Sequence, residues 1–257
     1  MRLAVLGDPV AHSRSPAIHA LALRLAGLEG GYVAIRADEA VLGEVVEGLR
    51  RGRFSGLNVT MPLKEAAWGL AERATPDAER AGSVNTLRFA GRVEGHSSDV
   101  TAFREILGGG RFGADAEVLI LGAGGSARAA LVGAGGRRVH VSSRSEGKAA
   151  RLAAAHGAAT VGWGTAVAGA VVVNATPLGM SGEELPEGVL GASSGLIDLP
   201  YGDEPTPAVS AAAERGLPTA DGFEFLARQA AESFRWWTGV SVSLSPLIEA
   251  ARDGKNS

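Results

Sequence analysis

The sequence predicts a two-domain α/β protein, and three observations predict it. Short apolar runs alternate with helical stretches along the whole of its 257 residues, the pattern of parallel strands joined by crossover helices. The alternation comes in two series, parted between Asp99 and Ala114, where Gly108-Gly109-Gly110 makes a turn-rich seam. The second series opens on an apolar strand, Val118 to Leu121, that runs into a glycine-rich turn and then a helix. The length suits one or two domains with a sizeable core.

In the first series, strands fit at Leu3–Leu6, Tyr32–Ala37, Gly56–Thr60 and Val84–Phe89, with helices near Pro16–Ala26, Ala40–Arg50 and Pro62–Arg73. Ser15 before Pro16 reads as a helix start, a capping hydroxyl followed by proline at the first helical position. In the second series, strands fit at Val118–Leu121, Arg138–Ser142, Val171–Asn174 and Leu196–Leu199, with helices after Ser126 and after Lys148. A long helix near Phe223–Thr238 and a shorter one near Pro246–Arg252 close the chain. The expected organisation is a first lobe of residues 1–100, a second of 101–234, and C-terminal helices, 235–257, that return to the first, with a cleft between the lobes. Trp236-Trp237 reads as packing between them.

Composition excludes several classes. A net charge of -3, with no block of like charges, argues against a dedicated nucleic-acid surface or a basic membrane face. The absence of Cys excludes a disulfide scaffold, a Cys nucleophile and thiolate metal sites. The five His residues show no metal-ligand spacing, so no metal is expected. The opening run Arg2-Leu3-Ala4-Val5-Leu6 is too short for a signal peptide's apolar core, and the longest apolar run, Ala166 to Val173, is too short for a membrane span. The expectation is a cytoplasmic protein with a small-molecule substrate and no nucleic-acid or membrane partner; a homodimer is compatible with the sequence.

Chemistry concentrates at Asn58-Val59-Thr60-Met61-Pro62-Leu63-Lys64. Of the 25 Lys plus Arg residues, only those at 64, 148 and 255 are Lys. A chain that writes Arg wherever a positive charge will do places at 64 a group able to release a proton, which Arg does not do. The bland alternative is a surface Lys in the first turn of a helix. In the second series Gly122-Ala123-Gly124-Gly125-Ser126-Ala127 fits G-x-G-x-x-A. Gly122 makes the tight turn, Gly124 allows close approach of a pyrophosphate, and Ala127 permits tight helix–strand packing. The helix N-terminus behind it offers free N–H groups to phosphate. At the end of the next strand an NAD-binding chain carries an acidic residue for the ribose; here stand Ser143, Arg144 and Ser145, a cation with hydroxyls suited to the 2′-phosphate of NADP.

Together these segments resemble the NADP-dependent shikimate dehydrogenases of the shikimate/quinate dehydrogenase family, in that family's order and over nearly the whole chain. Gly7 to Pro16 resembles its substrate-carboxylate loop, with Ser13 and Ser15 as the two hydroxyls. Asn58 to Lys64 is similar to N-V-T-x-P-x-K, Gly82-Ser83-Val84-Asn85-Thr86 to G-A-V-N-T, Asn174 to Met180 to N-A-T-x-x-G-M, and Asp198 to Tyr201 to D-x-x-Y. Asp221-Gly222 through Gln229 resembles the family's final helix. The resemblance implies an α/β substrate lobe and a Rossmann-type NADP lobe with a parallel sheet. It implies reversible NADPH-dependent reduction of 3-dehydroshikimate to shikimate, with Lys64 and Asp99 catalytic. It makes Ser13, Ser15, Asn58, Thr60, Lys64, Asn85, Asp99, Tyr201 and Gln229 substrate ligands. Cofactor contacts fall to Gly122, Ala123, Gly124, Gly125, Ser126, Ser143, Arg144, Ser145, Lys148, Thr176, Leu199 and Gly222.

Two segments depart from the family pattern. Where G-x-N-T-D-x-x-G-F is usual the chain reads Gly95-His96-Ser97-Ser98-Asp99-Val100-Thr101-Ala102-Phe103, and where N-R-T is usual it reads Ser143-Arg144-Ser145. Asp99 and Arg144 are kept while their neighbours change. Competing readings are a quinate/shikimate dehydrogenase with relaxed cofactor choice, and a dinucleotide-binding regulatory module without turnover.

Overall fold

A computed structural model describes residues 1–253. In chain order the elements are β1 (Arg2–Gly7), α1 (Ser15–Leu25), β2 (Gly31–Arg36), α2 (Leu42–Arg51), β3 (Gly56–Val59), α3 (Lys64–Leu70), β4 (Arg73–Ala74), α4 (Pro76–Ala81), β5 (Thr86–Phe89), β6 (Val93–His96) and α5 (Ser98–Gly108). They continue as β7 (Val118–Leu121), α6 (Gly125–Gly133), β8 (Val139–Ser142), α7 (Glu146–His156), β9 (Ala159–Thr160), β10 (Val171–Asn174), β11 (Gly195–Asp198), α8 (Pro207–Glu214), β12 (Thr219–Ala220), α9 (Gly222–Thr238) and α10 (Leu244–Asp253), with a short 3-10 turn at Leu190–Ala192. The chain divides into two compact units. One comprises Met1–Thr101 and the chain from Leu226 onward, the other Ala102–Phe225.

The first unit is built on a six-stranded sheet of order β2-β1-β3-β5-β6-β4. Leu3, Ala4, Val5 and Leu6 of β1 are all buried, as a strand covered on both faces requires. Alternate residues serve opposite faces. Ala4 and Leu6 join Leu57, Val59, Leu63 and Leu87 on one side; Leu3 and Val5 join Tyr32 and Trp237 on the other. This sheet is mixed, where alternation alone predicts a parallel one: β3 and β6 both pair antiparallel with β5. The reason is loop length. β5 and β6 are joined by Ala90, Gly91 and Arg92 alone, too few residues for the crossover that parallel neighbours need.

Three local expectations are corrected. The helix expected from Pro62 starts at Lys64, because residues 60–63 form a turn in which the Leu63 N–H donates to Thr60 O at 2.9 Å. The seam expected between Asp99 and Ala114 is occupied largely by α5, whose Val100, Phe103, Ile106 and Leu107 are buried at helical spacing. Both tryptophans pack on partners within the first unit: Trp237 donates Nε1–H to Leu87 O at 2.9 Å, and Trp236 stacks on His96 and lies under Arg88.

The second unit holds a fully parallel six-stranded sheet, β12-β11-β10-β7-β8-β9. Strands β7, β10 and β11 are buried along their length, the signature of a sheet covered by helices on both faces. Among the described residues no helix is long and apolar enough to cross a membrane, and no cluster of His, Cys, Asp and Glu is placed to hold a metal ion.

Candidate active site

Strand direction assembles the site in the first unit. Because β3 and β6 both run antiparallel to β5, the carboxyl ends of β3 and β6 and the amino end of β5 fall at the same end of the sheet. Asn58 pairs with Thr86, and Thr86 with His96, across that end. The chain beyond β3 carries Lys64, the residue before β5 is Asn85, and the segment after β6 carries Ser98 and Asp99. Three stretches far apart in sequence thus deliver their polar side chains to one place.

There the Lys64 ammonium donates to Asp99 Oδ2 at 2.5 Å, with the two side chains 12% and 3% exposed. The other carboxylate oxygen, Oδ1, accepts from Asn85 Nδ2 at 2.8 Å. Asn85 Nδ2 also lies 2.8 Å from Ser98 Oγ and 3.3 Å from Gln229 Oε1, while Asn85 Oδ1 accepts the Ser98 backbone N–H at 2.8 Å. Gln229, on α9, holds its own amide by donating Nε2–H to Leu226 O. The arrangement is a largely sheltered ammonium whose counter-ion is itself fixed by a neutral donor.

The remaining first-unit candidates come from the end of β3 and from the start of α1 and the loop before it. Thr60 is half-buried at the end of β3. A side chain on Gly7 would lie 2.3 Å from Thr60 Cγ2, so only glycine lets the end of β1 pass there. Ser15 does not cap α1: it is the first helical residue, and Arg14 at the cap position makes no side-chain cap bond. Instead Ser13 Oγ accepts the Ser15 backbone N–H at 3.3 Å. Asn58 is buried, and its amide serves protein groups. Nδ2 donates to Asn85 O, Thr86 Oγ1 and Ser233 Oγ at 2.9–3.2 Å, and Oδ1 accepts from Tyr32 Oη at 2.7 Å. Thr86, Ser98, Ser233 and Tyr32 were not singled out in the sequence; the readable signal was the Gln229–Ser233 spacing of four, which puts both on one face of a helix.

His19 is wholly buried and stacked on Tyr32 at 4.3 Å. Burial lowers its pKa to about 3, against a slight raising influence from Asn58, although neither ring nitrogen reaches hydrogen-bonding geometry. It is a neutral core group.

In the second unit, β7 leads to a turn in which Gly122 has φ +117°, and a Cβ there would lie 2.9 Å from Ala175 O. Helix α6 starts at Gly125 behind cap residue Gly124, around whose Cβ position there is open space. Ala123, Gly125 and Ser126 are half-buried beside it. At the end of β8, Ser143 Oγ accepts the Ser145 backbone N–H, and Arg144 and Lys148 are exposed. Thr176 is fixed by donating its hydroxyl to Asn174 Oδ1 at 2.6 Å, and Leu199 is bonded through its N–H to Asn174 O. Tyr201 packs on the Phe223 ring at 5.4 Å, and a Cβ on Gly222 would meet Leu199 O and Pro200 O at 2.5 Å. Asp198 underlies these loops. It accepts from Asn174 Nδ2 at 2.7 Å and Thr206 Oγ1 at 2.5 Å, and burial pushes its carboxyl up to about 6, with Asp221 adding to the rise.

The chain is similar to known proteins over nearly its whole length. The family model of the shikimate dehydrogenase substrate binding domain matches residues 5–87, which include Ser13, Ser15, Asn58, Thr60, Lys64 and Asn85. A curated shikimate dehydrogenase (NADP(+)) of Thermus thermophilus is 41% identical over 259 residues, covering 98% of this chain and 98% of that protein. The chain belongs to the shikimate dehydrogenase family. Another member, the shikimate dehydrogenase (NADP(+)) of Dinoroseobacter shibae, is 37% identical over 264 residues, 96% of this chain and 95% of its own. The crystal structure of a shikimate 5-dehydrogenase from Thermus thermophilus in complex with NADP(H) and shikimate has a TM-score of 0.90 at 38% identity, covering 99% of this chain and all of that one. Membership of the family thus extends over both units.

Proposed function

We propose that this protein catalyses the reversible, NADPH-dependent reduction of 3-dehydroshikimate to shikimate, a step towards aromatic amino acids, in the cytoplasm where NADPH is kept reduced. The observation that carries the reading is the Lys64–Asp99 pair, 2.5 Å apart and largely shielded from water. Reducing a ketone creates negative charge on its oxygen, which must receive a proton at the same stage. An ammonium does both, stabilising the alkoxide and protonating it. Asp99 holds Lys64 in place and accepts from a substrate hydroxyl. Asn85, Thr60 and Gln229 orient the ring, and Ser13, Ser15 and Tyr201 take the substrate carboxylate. Asn58 acts behind the substrate, its amide engaged by Asn85, Thr86, Ser233 and Tyr32.

The second unit fits NADP. The turn at Gly122, the open space over Gly124 and the positive dipole end of α6 at Gly125 suit a pyrophosphate. Arg144, exposed at the end of β8, suits the 2′-phosphate with Ser143, Ser145 and Lys148 around it. Thr176, Leu199 and Gly222, at the carboxyl ends of β10 and β11 and the start of α9, belong to the nicotinamide side. When bound, the reduced cofactor supplies the hydride.

The test is the absorbance of reduced nicotinamide with shikimate and NADP, then with quinate, then with NAD. Turnover with shikimate and NADP well above the other pairings supports the reading. Equal use of quinate and NAD would make it a quinate/shikimate dehydrogenase of relaxed choice, and binding of NADP without turnover would make it a regulatory module.

A further inference from the structure

Ser233 sits one turn beyond Gln229 on the same face of α9 and is completely buried, so it touches no ligand. Its hydroxyl nevertheless meets each stretch that carries the site. Asn58 Nδ2, on the strand leading to Lys64, donates to it at 2.9 Å. Thr86 Oγ1, next to Asn85, lies at 2.8 Å. Ser98 Oγ, next to Asp99, lies at 2.9 Å, as does the Gln229 carbonyl oxygen. These side-chain partners are 175, 147 and 135 residues away in sequence.

A hydroxyl has one hydrogen and two lone pairs. Asn58 takes one lone pair, Thr86 can fill the other, and the hydrogen goes to Ser98 Oγ or to the Gln229 carbonyl. The oxygen is therefore fully committed, and its position couples β3, β5, α5 and α9. From Ser98 the path to the chemistry is short. Asn85 Nδ2 bridges Ser98 Oγ and Asp99 Oδ1, each at 2.8 Å, and Asp99 Oδ2 receives the Lys64 ammonium. Ser98 is unbranched at Cβ, so its χ1 is less restricted than that of a Thr; an outside partner is what fixes it.

We propose that Ser233 is a positioning residue for the Lys64–Asp99 pair, a buried brace that sets the orientation of Ser98 and Asn85 and through them the Asp99 carboxylate. The proposal rests on the reaction proposed above, and its tests separate the two. Ser233→Ala deletes the oxygen without adding volume. Its kcat with shikimate and NADP should fall about tenfold, in keeping with the cost of small misplacements in a site, while KM for NADP stays at the parent value. In a Lys64→Ala background the same substitution should change the residual rate by about twofold at most, because residues acting as one unit are not additive. An equal loss in both backgrounds would reduce Ser233 to a structural role and overturn the proposal, as would an unchanged kcat. If Ser233→Ala does not fold, Ser98→Ala run through the same cycle decides, with the same outcomes for and against.

A second readout needs no turnover. The chain has Lys only at 64, 148 and 255, so their ¹³Cε resonances are assignable. In Ser233→Ala the Lys64 signal should move while that of Lys148 does not; an unmoved Lys64 signal overturns the brace. A parent enzyme that binds NADP but turns over nothing would count against the proposed reaction, and this spectrum would still decide the brace.

Discussion

Asp99 presents one carboxylate oxygen to Lys64 at 2.5 Å and the other to Asn85 at 2.8 Å. The charge that pairs with the ammonium is therefore held by a neutral side chain that is itself anchored to the Ser98 backbone. A buried cation whose partner is removed is left poorly compensated. Asp99→Asn keeps the shape and removes the charge, so kcat should fall by a factor on the order of 10². NADP affinity should be unchanged, and steady-state kinetics with both ligands varied checks the pattern.

In the carboxylate loop, Ser13→Ala and Ser15→Ala should each raise KM for shikimate, a hydrogen bond to a charged group being worth roughly 1.5–3 kcal/mol. Their melting temperatures should differ. Ser13 also accepts the Ser15 backbone N–H, so its loss destabilises the turn. Ser15 makes no cap, so its loss should leave the melting temperature closer to that of the parent. Normal shikimate binding in both variants would remove the loop from the substrate site.

Cofactor choice rests on Arg144. Its guanidinium is exposed at the end of β8, and a planar fork binds phosphate oxygens bidentately. Arg144→Ala should lower kcat/KM for NADP by about tenfold or more, through KM, and leave NAD nearly untouched, as expected for losing roughly 1–3 kcal/mol of charge-assisted bonding. An unchanged NADP/NAD ratio would move the assignment to Lys148 or Arg128.

Asp198 predicts a pH dependence of stability. Its folded pKa of about 6 lies above the ordinary 3.8 because burial penalises the charged form. A carboxyl raised in this way contributes most below pH 4. That contribution is lost as pH rises through about 6, on the order of 3 kcal/mol at about 1.4 kcal/mol per unit. Denaturant midpoints should therefore show a declining component between pH 4 and 6, and Asp198→Asn should remove it. A parent and variant with parallel profiles would contradict the burial effect.

Much of this was legible in the sequence because it depended on local pattern. The glycine turn at Gly122 needs a strand before it and a helix after it, and all three are contiguous. Strands such as Val118–Leu121 and Val171–Asn174 are buried on both faces, and their apolar runs mark their bounds. What escaped was set by features that apolar periodicity does not carry. The antiparallel β5–β6 pair follows from a three-residue connection that periodicity does not weigh. Helix α5 was hidden by the glycines that follow it. The protein partners of the Asn58 amide, Tyr32, Thr86 and Ser233, lie on other elements, and only the fold brings them to it. The polar layer behind the site consists of ordinary Ser and Thr residues, whose importance comes from which strands lie side by side.

The most direct test of the central claim is kcat for Lys64→Ala and Lys64→Arg with saturating shikimate and NADP. If Lys64 moves the proton, alanine should cut turnover by a factor on the order of 10² or more, and arginine, which keeps its proton, should not restore it. Shikimate affinity should change much less in both variants, since hydroxyl and carboxylate contacts remain. A Lys64→Arg enzyme with near-parental kcat would contradict proton transfer by Lys64 and leave it only an electrostatic role.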